Sequence, residues 1–232
     1  MLFCTKIRRM AIGGKEFENL KADLKSKNVQ LIAVSKTRSI EEIERFYHLG
    51  QRHFAENRVQ ELSRKAPELP DDIKWHLIGQ LQTNKVKQAL GHSHLIHSLD
   101  RLKLWKELNT QATINGEKIQ ALIQLKIGEE ESKSGFEWNE LIEHLKEGRH
   151  QDMPMVQICG VMGMASFTSD ENQINQEFYS LNQKFRKLKE DFYSQESSFK
   201  EISMGMSSDY ASAIENGSTM VRLGSILFGP RG

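Results

Sequence analysis

Short apolar runs alternate with amphipathic stretches along most of this chain. The runs at 31–35 (LIAVS), 53–55, 75–78 (WHLI), 94–97, 119–127 (IQALIQLKI), 155–162 (MVQICGVM), 200–203 and 219–223 read as eight strands. Between them the apolar spacing lengthens to three and four residues, the period of a helix with one buried face. Ile40, Ile43, Phe46 and Tyr47 form one such stripe, opened by a Ser39/Glu42 capping box and closed by Gly50. Leu102, Trp105, Leu108 and Ala112 form another, with Asp100 as its expected N-cap. Trp138, Leu141, Ile142 and Leu145 form a third, ended by Gly148. The longest stripe runs from Ile174 through Phe178, Leu181, Phe185 and Leu188 to Phe192. It suits the inner face of a barrel helix; a partner-binding or coiled-coil helix is the alternative. Phe17, Leu20 and Leu24 mark a helix within an N-terminal segment, residues 1–28.

Strand, helix, strand, repeated, implies parallel pairing with right-handed crossovers. The two candidate architectures are an open doubly wound sheet and a closed barrel. Eight repeats within about 200 residues, with no G-x-G-x-x-G after the first strand, favour a single-domain (β/α)₈ TIM barrel over residues 1–232. At 232 residues the chain is a compact version of a fold that typically takes about 250. No linker or low-complexity stretch divides it, and 128–135 (GEEESKSG) reads as a charged loop.

Composition narrows the function classes. Lys and Arg number 32 against 31 Asp and Glu, so no basic excess points to nucleic acid. Lys6, Arg8 and Arg9 read as a solvated terminal segment. The chain has two cysteines: Cys159 in an apolar run reads as core, and a bridge to Cys4 is not expected. No apolar run reaches the length of a membrane span, and the N-terminus does not resemble a signal peptide. A soluble, cytoplasmic protein is expected.

In a barrel, chemistry gathers where strands end. Lys36 follows the first strand, in AVSKT. A part-buried lysine there is an amine able to attack a carbonyl, although most strand-end lysines only reach for solvent. Asn57 ends the second strand, as a helix cap or a ligand contact. Ser203, Gly205, Met206 and Ser207 end the seventh strand; Arg222, Gly224 and Ser225 end the eighth. Small residues at a strand end, with a helix expected near Ser207 and Ser208, bind anions through exposed N–H groups. Loops after strands 7 and 8 often hold phosphate in barrels. Together with Lys36 they suggest pyridoxal phosphate. His92, His94 and His97 have metal-like spacing but no carboxylate or cysteine partner, so a surface loop entering a strand is the reading.

LIAVSKT, FAENRVQE, WHLIGQLQTNK, KSGFE, SMGMSSDYASAI and STMVRLGSILFG, in that order, resemble the pyridoxal phosphate homeostasis proteins. These are single-domain relatives of the alanine racemase N-terminal barrel. The resemblance implies an internal aldimine, a Schiff base between pyridoxal phosphate and Lys36. It implies phosphate on the Ser203–Ser207 loop and on the Gly224–Ser225 amides, and Arg222 facing the pyridine nitrogen. An arginine there keeps that nitrogen unprotonated and makes the ring a poorer electron sink. Asn57 falls near the cofactor. For His76 and Asn84, in the WHLIGQLQTNK segment, a structural role and a cap are weighed against ligand contacts. The chain departs from the family at Ala55, where glycine is usual, and at Gln124-Leu125-Lys126, where Gln-Val-Asn is usual. Ser225 replaces a threonine. Lys126 adds a positive charge near the barrel mouth.

Two-base racemisation needs acid–base groups on both faces of the substrate carbon. The racemases take one from a second domain, and this chain ends after its eighth strand. The expectation is therefore a monomeric cofactor carrier, storing or delivering pyridoxal phosphate to dependent apoenzymes, with no dedicated catalysis. A slow amino-acid racemase is one alternative, and an interaction module with no cofactor is another.

Overall fold

The computed structural model describes residues 11–128 and 134–230. Cys4, Lys6, Arg8, Arg9 and the centre of the 128–135 loop lie outside the described residues. Eight parallel strands close in chain order into one barrel. They are β1 (Gln30–Val34), β2 (His53–Glu56), β3 (Lys74–Leu77), β4 (Leu95–Leu99), β5 (Ile119–Gln124), β6 (Val156–Met162), β7 (Glu201–Ser203) and β8 (Met220–Leu223). Each falls within a residue or two of an expected apolar run, except that β5 ends three residues early. There Leu125 bridges Phe136 while its N–H still donates to the Met162 carbonyl of β6, and the Gln124 side-chain amide donates to the Ser134 carbonyl.

The α-helices of the described residues are α1 (Gly14–Ser26), before the first strand, α2 (Ile40–His48), α3 (Val59–Lys65), α4 (Val86–Leu90), α5 (Leu102–Asn115), α6 (Trp138–Lys146), α7 (Glu171–Asp191) and α8 (Tyr210–Glu215), between strands, and α9 (Ser225–Phe228), after the last. The Ser39/Glu42 capping box opens α2 as expected. The long apolar stripe is the inner face of α7: Phe178, Leu181 and Leu188 are buried, and Ile174 and Phe185 lean on the same core.

Three expected caps do not form. Arg101, not Asp100, occupies the N-cap of α5, and the Asp100 carboxylate is taken by the Arg101 guanidinium. Arg58, not Asn57, precedes α3, and Asn84 lies inside a short 3₁₀ turn, Thr83–Lys85. The helix expected near Ser207 starts later, at Tyr210, after a turn in which Asp209 Oδ1 accepts from Met206 N at 2.6 Å.

Most apolar burial lies between the strands and the surrounding helices. Inside the barrel, Ile32, Val34, Ala55, Leu95, Leu122, Met162 and Met220 form a smaller apolar cluster. His76, His97, Ser203 and Arg222 are buried there too, on strand positions that alternate with the outward-facing ones. His97 is thus wholly buried on β4, not on the surface loop expected for it. Among the described residues no group of His, Cys, Asp or Glu could hold a metal ion, and no helix is long and apolar enough to cross a membrane.

Closure of the sheet sets the site. β8 pairs with β1 through Ile32↔Arg222 and Ala33↔Leu223, so the residues after the last strand sit beside those after the first. Gly79, after β3, lets the chain touch the β2 end: a Cβ there would lie 2.1 Å from the Asn57 carbonyl oxygen, so no larger residue fits.

Candidate functional site at the C-terminal mouth of the barrel

Lys36 is carried by a turn that is held from below. Ser35 is fully buried; its N–H donates to the Ala55 carbonyl at 2.9 Å and its hydroxyl to Glu56 Oε1 at 2.7 Å. Lys65, at the end of α3, reaches back and donates to the Ser35 carbonyl at 2.9 Å and to Glu56 Oε1 at 2.8 Å. Glu61, one turn earlier on α3, accepts from Lys65 at 3.2 Å and from Thr37 N at 2.8 Å. Thr37 has φ +65°, a left-handed conformation unfavourable to a β-branched residue, and this bond helps to hold it. Burial pushes the Glu56 carboxyl up, against the opposing pull of Lys65 and Ser35. Lys65 and Glu56 are an almost wholly buried ion pair whose visible work is to fix the backbone around half-buried Lys36.

Across the β1–β8 seam, Ser207 Oγ accepts from Gly224 N at 3.2 Å and, weakly, from Ile226 N at 3.5 Å. Gly224 lies against β1; a Cβ on it would be 3.3 Å from the Val34 carbonyl oxygen. Gly205 has φ +92°, and a Cβ there would run into Ala213 at 2.6 Å, so glycine shapes the β7 loop. Met206 contributes its backbone to that turn, and Ser225 opens α9.

Arg222 is buried, donating to Ser203 Oγ at 2.7 Å and to the Gly163 carbonyl at 3.0 Å. Burial lowers its pKa to about 10, so it remains a cation at neutral pH. Among the described residues no carboxylate lies within ion-pair distance of it. The Ser203 hydroxyl accepts from Arg222 and lies 2.9 Å from His97 Nδ1. From His97 the hydrogen bonds continue inward, His97 Nε2 to His76 Nδ1 at 2.8 Å and His76 Nε2 to His53 Nδ1 at 2.9 Å. Lys126 is neutralised by Glu137 at 2.8 Å. Cys159 is a buried free thiol raised by burial to about 11 and takes no part.

Residues 15–232 match the family model for the alanine racemase N-terminal domain. The pyridoxal phosphate homeostasis protein of Pasteurella multocida is 38% identical over 206 residues, covering 88% of this chain and 87% of that one. Its namesake from Aquifex aeolicus is 39% identical over 207 residues, 87% of each. This chain belongs to the pyridoxal phosphate homeostasis protein family. PipY of Synechococcus elongatus, solved with pyridoxal phosphate bound, superposes with a TM-score of 0.84 at 34% identity, over 93% of this chain and 99% of that one. The alanine racemase of Bartonella henselae, at 18% identity and a TM-score of 0.64, shares the fold; this chain spans 60% of its length.

The mouth has the chemistry that pyridoxal phosphate requires. Two backbone N–H groups converge on one hydroxyl, a buried guanidinium has no carboxylate within ion-pair distance among the described residues, and a lysine follows the strand across the seam. Sequence reasoning missed Glu56, Lys65 and His53, and it noted His97 without its buried partners. Glu61 and Lys65 at helical spacing look like a solvated face, Glu56 ends a strand, and histidines spread over β2, β3 and β4 meet only when the barrel closes.

Replacing Lys65 by Met leaves Glu56 buried without its cation and is expected to cost about 3–5 kcal/mol in urea unfolding. Adding Glu56→Gln to that variant should recover part of the loss; if it recovers none, the buried pair is not the cause. A second expectation concerns pH. Burial, with His97 and His53 nearby, holds His76 well below 6.5, and burial with Arg222 does the same to His97. Burial with His94 and Lys74 brings His53 to about 4. Below pH 6.5 the unfolded chain therefore binds more protons than the fold, and stability falls as pH drops towards 4, by up to about 1.4 kcal/mol per pH unit per histidine. Urea midpoints between pH 7.5 and 5 measure this, and His53→Gln should flatten the slope.

Proposed function

We propose that this protein binds pyridoxal 5′-phosphate at the C-terminal mouth and serves intracellular pyridoxal phosphate homeostasis by storing or delivering it, without a dedicated catalytic activity. The observation that carries the reading is the meeting of Lys36, the Ser207–Gly224 cradle and unpaired Arg222 at one seam. The family's name and the cofactor seen in PipY support it. When bound, the cofactor supplies an aldehyde that condenses with the Lys36 amine, releasing water, and a phosphate anion that needs N–H and hydroxyl donors.

Each residue has a part that its surroundings permit. The Gly224 and Ile226 N–H groups and the Ser207 hydroxyl bind the phosphate, with Gly205, Met206 and Ser225 shaping the loops around it. Ser35, Glu61 and Lys65 orient the Lys36 backbone. Arg222, fixed by Ser203 and Gly163, offers N–H to the ring nitrogen and repels a proton there, which favours holding the cofactor over using it as an electron sink. Ser203 acts through Arg222. Asn57 lines the mouth beside Gly79. We also propose a monomer that works in the cytoplasm and passes cofactor to dependent apoenzymes. The large apolar side chains exposed among the described residues, Ile114, Phe167 and Tyr179, are scattered along the chain.

Purified protein mixed with pyridoxal phosphate should develop a protein-bound absorbance band that borohydride fixes on the Lys36 peptide. Lys36→Ala should lose both, and retention of the band would overturn the site. Carriage without turnover is checked separately by exchange of the alanine α-proton in deuterated water. The expected rate does not exceed that of free cofactor; a stereoselective excess would favour the racemase alternative.

A further inference from the structure

The hydrogen-bonded histidines do not stop inside the barrel. They lead to a cavity of about 730 Å³ at the opposite, N-terminal end, lined by His53, His76 and His94 and by Lys21, Lys25 and Lys200. That volume falls in the range of small-molecule sites, about 300–1,000 Å³.

The direction of the chain follows from Ser203. Arg222 can only donate, so Ser203 Oγ accepts from it. The Ser203 hydroxyl is fully buried, and among the described residues the acceptor within its reach is His97 Nδ1. His97 must therefore carry its proton on Nε2 and donate it to His76 Nδ1. His76 then donates from Nε2 to His53 Nδ1. His53 is left as a neutral ring whose Nε2–H is the free end of the relay, on the cavity that His53 lines. All three rings are required to be neutral, and burial lowers the pKa of each. The relay ends in a donor, so the cavity calls for an acceptor.

The charges around the cavity make the same choice. Among the described residues three lysines outnumber the one lining carboxylate, Glu201, which already accepts from Thr219 Oγ1 at 2.6 Å. Lys21 donates to the Gly50 carbonyl at 2.7 Å, and its pKa is lowered by burial and by repulsion from Arg52 and Lys25, against a smaller pull from Glu18. We propose that this cavity is a second ligand site, for a small oxyanion such as a phosphate or a carboxylate, and that its occupancy is read at Arg222 through His53, His76, His97 and Ser203. An oxyanion accepting from His53 Nε2 polarises every hydrogen bond behind it in one sense. It thereby strengthens the pull of Ser203 on the Arg222 guanidinium, 59 residues away from Gly163 in sequence but held against it at the other mouth. The site itself does not depend on the cofactor assignment; its effect on cofactor affinity rests on that reading.

The test is nitrogen NMR of the full chain labelled in histidine and arginine, with and without pyridoxal phosphate. Without added anion, all three rings should be protonated at Nε2 and bare at Nδ1; a ring in the other tautomer overturns the relay. Titration with inorganic phosphate, and separately with succinate, should shift His53 Nε2 most and His76 and His97 progressively less. Comparing the two separates a phosphate ligand from a carboxylate one. Lys25→Gln/Lys200→Gln, both exposed positions, should weaken that response about tenfold through loss of two charged donors. No shift at His53 with either anion, or a shift indifferent to the lysines, would sink the site. In Ser203→Ala the His53 shift should persist while the Arg222 response is lost; an Arg222 response that survives would overturn the coupling. Persistence of the His53 shift with the cofactor loaded separates the cavity from the phosphate cradle at the other mouth. If the cofactor fails to bind at all, the cofactor-free titration still decides the site.

Discussion

Closure of the barrel between β1 and β8 is the constraint on which the rest depends. Lys36 and Arg222 are 186 positions apart in the chain, yet the pairing of Ile32 with Arg222 and Ala33 with Leu223 brings their strands together at one seam. Gly224 then lies directly against Val34, close enough that a side chain would crowd the Val34 carbonyl. No local motif could assemble an amine, an amide cradle and a guanidinium at this spacing. Parallel closure does so because every strand delivers its following loop to the same end.

That seam is stiffened by polar groups that are costly to bury. A lysine and a glutamate almost wholly out of water gain little net stability from their attraction, because desolvation opposes it. Their value lies in where the hydrogen bonds go: the Ser35 hydroxyl and carbonyl, and, through Glu61, the amide of left-handed Thr37. These contacts define the backbone on either side of Lys36. The barrel interior follows the same logic. Where a typical barrel fills its layers with branched apolar residues, this one spends part of the space on His76, His97, Ser203 and Arg222, each hydrogen-bonded. The result is a guanidinium whose position is set from within the barrel rather than by a carboxylate beside it.

The fold was largely legible in the sequence because apolar periodicity reports it directly: the run at 155–162 and the stripe from Ile174 to Leu188 can be little else in a repeated pattern. Lys36 and the two glycine-bearing loops were legible because strand ends are where a barrel keeps its chemistry. The caps were less so. Asp100 looked like an N-cap by residue type, but the neighbouring Arg101 outcompetes the helix amides for its carboxylate. Ser203 was placed at the phosphate by its position in the loop motif. The alternation of β7 turns its side chain into the barrel, towards His97 and Arg222. The roles of Glu56, Lys65, His53 and His97 were hidden for one reason: each is defined by a partner on another element, and one sequence carries no record of such pairs.

The two ends of the barrel therefore differ in kind. The C-terminal mouth holds a fixed cation and a fixed turn, an arrangement suited to keeping one ligand in one pose. The N-terminal end holds a cavity lined by Lys21, Lys25 and Lys200, and it meets the interior through His53. A directed chain of neutral rings conveys polarisation without moving a net charge, so it can join the two ends without adding a buried ion to the core. That economy explains why histidine suits the barrel axis. An apolar residue there would isolate Arg222 from the far end, and a lysine would add a second positive charge beside it. A neutral imidazole offers a donor and an acceptor on its two separate nitrogens, and three in series are enough to cross this barrel from His53 to Ser203.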